Sequence, residues 1–138
     1  MRRANALVAS GIWLVLAGCN THQDTFVRGQ KAFEQNAHER ALAHFRRLEP
    51  NLDHLSSPER TQYAYLRGMT DYRIGLRGDA RHWLAIARVL EDESPGALPV
   101  DWKARADEAL AELNDAVYDE GIERLGSRRP DDASKARP

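Results

Sequence analysis

The chain has 138 residues, and its 20 Lys and Arg against 21 Asp and Glu leave a net charge of −1, which excludes the basic footprint of a nucleic-acid binder. A single cysteine excludes an intrachain disulfide, so packing alone must hold the fold. Ala, Leu, Arg and Glu are abundant and β-branched residues few, which favours helix throughout.

Arg2 and Arg3 open the chain as a positive region, and Ala6 to Ala17 is apolar apart from Ser10 and Gly11. That stretch is too short to span a bilayer, which takes about 20 residues. It suits the apolar core of a signal peptide, roughly 7–15 residues ahead of small residues, here Ala17 and Gly18. Leu16-Ala17-Gly18-Cys19 resembles the lipobox of bacterial lipoproteins. The resemblance implies that residues 1–18 are a removable signal peptide. Cys19 then becomes the first residue, its thiolate alkylated with diacylglyceryl and its amine open to a further chain such as palmitate. Two or more acyl chains anchor stably where one is marginal. Asn20, in place of Asp, follows the cysteine; the sorting rule of enteric-type lipoproteins then implies an outer-membrane location facing the periplasm.

Two segments downstream repeat each other. Gly29, Phe33, Ala41 and Phe45 recur as Gly68, Tyr72, Ala80 and Leu84, at offsets of 4, 12 and 16 residues from the glycine. Leu48 and Ala87 continue the correspondence. The glycines let a neighbouring helix approach, the aromatics sit one turn on, and Ala41 and Ala80 keep the start of the second helix small. The pattern resembles the tetratricopeptide repeat. Gly75 to Gly78 supplies the turn of the second unit, with Asp79 as the expected N-cap. Asn36-Ala37 takes the turn position of the first. The glycines are 39 residues apart, against about 34 in the standard repeat. Residues 49–58, with Pro50, Asn51, Asp53, Ser56, Ser57 and Pro58, hold the excess and read as an extended loop, ending with Ser57 as the next N-cap.

Glu91 to Gly96 is a helix stop, and Asp101 reads as the N-cap of a further helix. Trp102, Ala106, Ala109, Leu110, Leu113, Val117 and Leu125 then recur at helical spacing, ending at Gly126. The expected organisation is a signal peptide (1–18), a lipidated tether (19–24), two tetratricopeptide-like helix pairs (25–93), a linker (94–100), a capping helix (101–126) and a charged, disordered tail (127–138). The fold class is all-α: an antiparallel, right-handed stack of helix hairpins closed by a long C-terminal helix. Two repeats are fewer than the usual three, so self-association is kept as an alternative.

Motifs for catalysis are absent from the sequence. His38-Glu39-Arg40-Ala41-Leu42 lacks the second histidine of a zinc-protease motif, and there is no phosphate loop and no Gly-x-Ser-x-Gly. His22, His38, His44, His54 and His82 are scattered, none paired at i, i+4. The acidic neighbours Asp92-Glu93, Asp119-Glu120 and Asp131-Asp132 diverge by about 100° on a helix and make poor catalytic pairs. No enzyme, metal or cofactor is expected beyond the covalent lipid at Cys19.

By the repeat resemblance, the first helix of each pair lines a concave groove, which places Phe26, Gln30, Tyr65, Met69 and Arg73 at a partner site. Tyr, Met and Arg together suit a peptide or partner helix. Arg28 and Arg67 occupy matching repeat positions and are further contact candidates. The expected function is a membrane-anchored, non-catalytic adaptor that binds an envelope protein or peptide. The alternatives are a self-associating structural lipoprotein and an accessory subunit regulating an envelope enzyme or a secretion or assembly machine. A helix starting near Asp24 leaves a tether of about five residues, reaching roughly 15–18 Å at 3.3–3.6 Å per residue.

Overall fold

The computed structural model describes residues 21–121, so the lipobox, Cys19 and the charged tail lie outside the described residues. The described chain is all-α: α1 (Thr21–Glu34), α2 (His38–Leu48), a 3-10 helix (Glu49–His54), α3 (Ser57–Arg73), α4 (Arg77–Glu93) and α5 (Val100–Glu120). The helices pack as hairpins, α1 on α2 and α3 on α4. A lesser α2–α3 contact joins the pairs, and α5 lies along α4 and touches α3.

The two hairpins share one construction, displaced by 39 residues. α2 starts at His38 and α4 at Arg77. Each turn is made by a residue with positive φ, Asn36 (55°) in the first and Gly75 (84°) in the second. Asn is the non-glycine residue that best tolerates this backbone, which explains how the first pair dispenses with a glycine. The hydrogen bonds correspond as well. Ala37 N–H donates to Ala32 C=O at 2.9 Å, and Leu76 N–H to Asp71 C=O at 2.8 Å.

Both 16-residue offsets are direct contacts. A Cβ on Gly29 would fall 2.6 Å from Phe45 Cε1, and one on Gly68 would fall 2.8 Å from Leu84 Cγ and 2.9 Å from Leu84 backbone N. The crossing helices meet where they lack a side chain. Ala41, Phe45, Leu48, Ala80, Leu84 and Ala87 are fully buried around these crossings. Phe33 and Tyr72 are only partly buried, and the Tyr72 hydroxyl donates to Glu112 of α5.

A buried polar cluster joins the pairs. Arg67 donates from Nε to Asp71 Oδ2 at 2.9 Å and from Nη1 to Glu49 Oε2 at 2.6 Å. Its guanidinium carbon also lies 5.3 Å from the centre of the Trp83 ring. Tyr63 crosses the same seam, its hydroxyl donating to the Phe45 carbonyl at 2.9 Å. Arg67 is thus committed inside the fold and not to a ligand, whereas Arg28 pairs with Asp24 on the surface.

Several boundaries differ from expectation. Residues 49–54 form a 3-10 helix where an extended loop was expected, with Pro50 in its first turn, where a missing N–H costs nothing. Ser56, not Ser57, caps α3; it accepts from Glu59 N–H while the Glu59 carboxylate accepts from Ser56 N–H. α4 starts at Arg77 and α5 at Val100, so Asp79 and Asp101 stand in first turns and cap neither helix. There they favour the positive helix end. α5 ends at Glu120, short of residue 126, where Gly121 (φ 82°, ψ 167°) leaves helical backbone.

A candidate partner-binding cleft

α3 touches both α1 and α5, and α5 covers part of the groove expected from the sequence. Tyr65 is 1% exposed and its ring stacks on Trp102 of α5, 4.6 Å between centres at 16°. Met69 and Phe26 are buried too. This corrects the expected site: Phe26, Tyr65 and Met69 are packing residues of the core, and Trp102 of the capping helix covers Tyr65. Burial pushes the Tyr65 phenol up from its ordinary value against the pull of Arg105. Gln30 is partly buried and donates to Glu34 at 3.2 Å. Of the five, Arg73 alone has an exposed side chain.

Arg73 marks where the groove remains open. A cleft of about 360 Å³ is lined by Phe33, Glu34, Asn36, His38, Arg73, Trp102 and Arg105. Three local features build it. The left-handed turn at Asn36 brings His38 back beside Phe33, their rings edge to face at 5.6 Å. The last turn of α3 delivers Arg73, and the first two turns of α5 deliver Trp102 and Arg105. Two guanidiniums therefore share a cleft with a single carboxylate, Glu34. Arg73 forms no ion pair among the described residues, and Arg105 is held loosely by Asp101 at 3.5 Å. His38 Nδ1 is buried without a hydrogen-bond partner.

Two arginines, an imidazole, an amide and two aromatic walls suit an acidic group carried on a partly apolar chain. Guanidiniums bind carboxylates in a fork, and the rings supply apolar area beside it. Sequence reasoning found Arg73 but missed Trp102, Arg105, Asn36 and His38 as cleft residues. Trp102 was assigned to the apolar stripe of the cap. Arg105 carried no local signal, since its place depends on where α5 docks.

Among the described residues, no group of three or more His, Cys, Asp or Glu is placed to hold a metal ion. Nor is any described helix long and apolar enough to cross a membrane. No family model matches the chain, and no curated protein or solved structure is similar to it.

Proposed function

We infer that the protein is a lipid-anchored, non-catalytic adaptor of the bacterial envelope that holds an acidic peptide segment of its partner in the Arg73–Arg105 cleft. The observation that carries this reading is the convergence of those arginines with Phe33 and Trp102 in one cleft. The anchor rests on the lipobox residues Leu16 to Cys19. α1 already includes Thr21 to Asp24, so that part of the expected tether is helical. A tether of about five residues reaches at most roughly 15–18 Å at 3.3–3.6 Å per residue, which favours a domain held close to the lipid surface.

The test is affinity purification of the full chain, with its own N-terminus, from detergent-solubilised membranes, alongside an Arg73→Ala/Arg105→Ala variant. Both arginines are exposed, so the variant should keep its native helix content, checked by circular dichroism. A stoichiometric partner recovered with the wild type and lost from the variant supports the reading; a partner retained equally by both refutes the cleft. Intact mass and fractionation test the anchor. Cys19→Ser should move the protein from the membrane to the soluble fraction, and an unmodified Cys19 in membrane-extracted protein would refute lipidation.

A further inference from the structure

A second groove, of about 540 Å³, runs along the outer face of α4 beside α5, on residues the cleft does not use. Its long wall is a stripe of α4: Gly78, His82, Ala85, Ile86, Val89 and Glu93. These positions recur every three or four residues, so they share one helix face. Val89 is 55% exposed, a large apolar side chain left uncovered. Leu110 and Asn114 of α5 form the opposite wall, and Tyr118, one turn further along, is 83% exposed. Arg81 ties the walls together by donating to Asn114 Oδ1 at 2.7 Å.

The charge order along α4 identifies the occupant. The face is positive at one end (Arg81, with His82 beside it), apolar in the middle (Ala85, Ile86, Val89, Leu90) and negative at the other end (Glu93). Such a face is complementary to its own antiparallel copy. A two-fold axis crossing α4 between Ala85 and Ile86 sets Ala85 against the partner's Ile86, His82 against the partner's Val89 and Gly78 against the partner's Glu93. Arg81 is three residues from Gly78, about 4.5 Å along the helix, within reach of the partner's Glu93. Gly78 and Ala85 are small and let the two helices approach. The chain's own residues 122–138 are a poorer fit, since Ile122 and Leu125 are their only large apolar residues.

We propose that the α4–α5 groove is a homodimer interface, occupied by α4 of a second copy in antiparallel register. A closed two-fold dimer buries the same patch on both copies and leaves no open edge. With its axis normal to the bilayer, both α1 starts stand at the same height, so the arrangement accommodates two anchored copies.

The test is disulfide trapping of the full chain in native membranes. Ala85 is exposed and lies beside the axis, so Ala85→Cys should give a band of twice the mass on oxidation, absent from the wild type. Adding Val89→Arg should reduce that band at least tenfold. Glu93→Arg should also weaken it, and Arg81→Glu/Glu93→Arg should restore it, an outcome that generic destabilisation does not produce. Failure of Ala85→Cys to cross-link while circular dichroism shows native helix overturns the proposal. A band unchanged by Val89→Arg overturns it as well.

Discussion

Substituting Gly68 with alanine sets two opposing effects against each other at one helix crossing. In an exposed helix interior, Gly→Ala stabilises by about 1 kcal/mol, because alanine loses less backbone freedom on folding. Here the new Cβ would stand 2.8 Å from Leu84 Cγ and 2.9 Å from both Leu84 Cδ2 and backbone N. A backbone atom cannot rotate away, so the whole α3–α4 crossing must open. Overpacking of this kind costs about 1–3 kcal/mol, and the upper end applies where the backbone must shift. The net expectation is a loss of about 1–2 kcal/mol. That corresponds to a fall in Tm of roughly 4–16 °C for a domain of this size. The first crossing supplies the control. At Gly29 the three nearest atoms all belong to the Phe45 ring, so Phe45→Leu should relieve Gly29→Ala. Urea unfolding followed by circular dichroism gives the double-mutant cycle. Gly29→Ala and Phe45→Leu should couple favourably by about 1 kcal/mol or more, beyond the 0.3–0.5 kcal/mol of independent sites. Gly68→Ala that matches or exceeds wild-type stability, together with additive behaviour at Gly29, would refute the close-crossing argument.

Three further predictions concern buried charged groups. Burial pushes the Asp71 carboxyl up to about 6 against the pull of Arg67. The folded state therefore holds that proton more tightly than the unfolded one. This contribution to stability is full below the ordinary value of 3.8 and is lost as pH rises through about 6. Between pH 4 and 7 the wild type, unlike Asp71→Asn, should lose unfolding free energy on the order of 2 kcal/mol; parallel profiles would contradict it. Arg67→Ala should cost about 3–5 kcal/mol by leaving Asp71 buried without its counter-charge, and Asp71→Ala added to it should recover part of the loss, measured by urea unfolding. Glu91 accepts from Gly96 N–H at 2.7 Å and Leu98 N–H at 2.9 Å, the first of which does most to hold its carboxyl below the ordinary value. Glu91→Ala should cost about 2–4 kcal/mol and speed hydrogen exchange at Gly96 and Leu98.

The helix pairs were legible because their signals are steric and local. A glycine followed 16 residues later by Phe45 or Leu84 marks two helices touching, and both contacts exist. The α3 cap was also within reach: Ser56 and Ser57 are both capping residues, but only Ser56 has Glu three positions on. The buried cluster was not legible. Asp71 occupies the repeat position that Ala32 holds in the first pair, and nothing in its neighbourhood foretells a carboxylate that is 0% exposed. It is tolerated because Arg67 reaches it from one turn away on the same helix. The cleft was half legible for a related reason. Repeat spacing locates a first-helix face, but how α5 lies across it is a tertiary fact. Stacking of Trp102 on Tyr65 decides which residues remain open.

That each helix packs mainly on its sequence neighbour also governs how the chain acquires its shape. α1 with α2, and α3 with α4, can each close over a turn of three residues, before any distant segment has arrived. Little loop entropy is lost ahead of the first contacts, the condition under which domains fold in microseconds to milliseconds. A chain emerging N-terminus first during synthesis would complete its first hairpin before the capping helix was available. Folding would then proceed outward from the α1 end, and α5 would be the last element to seal the domain.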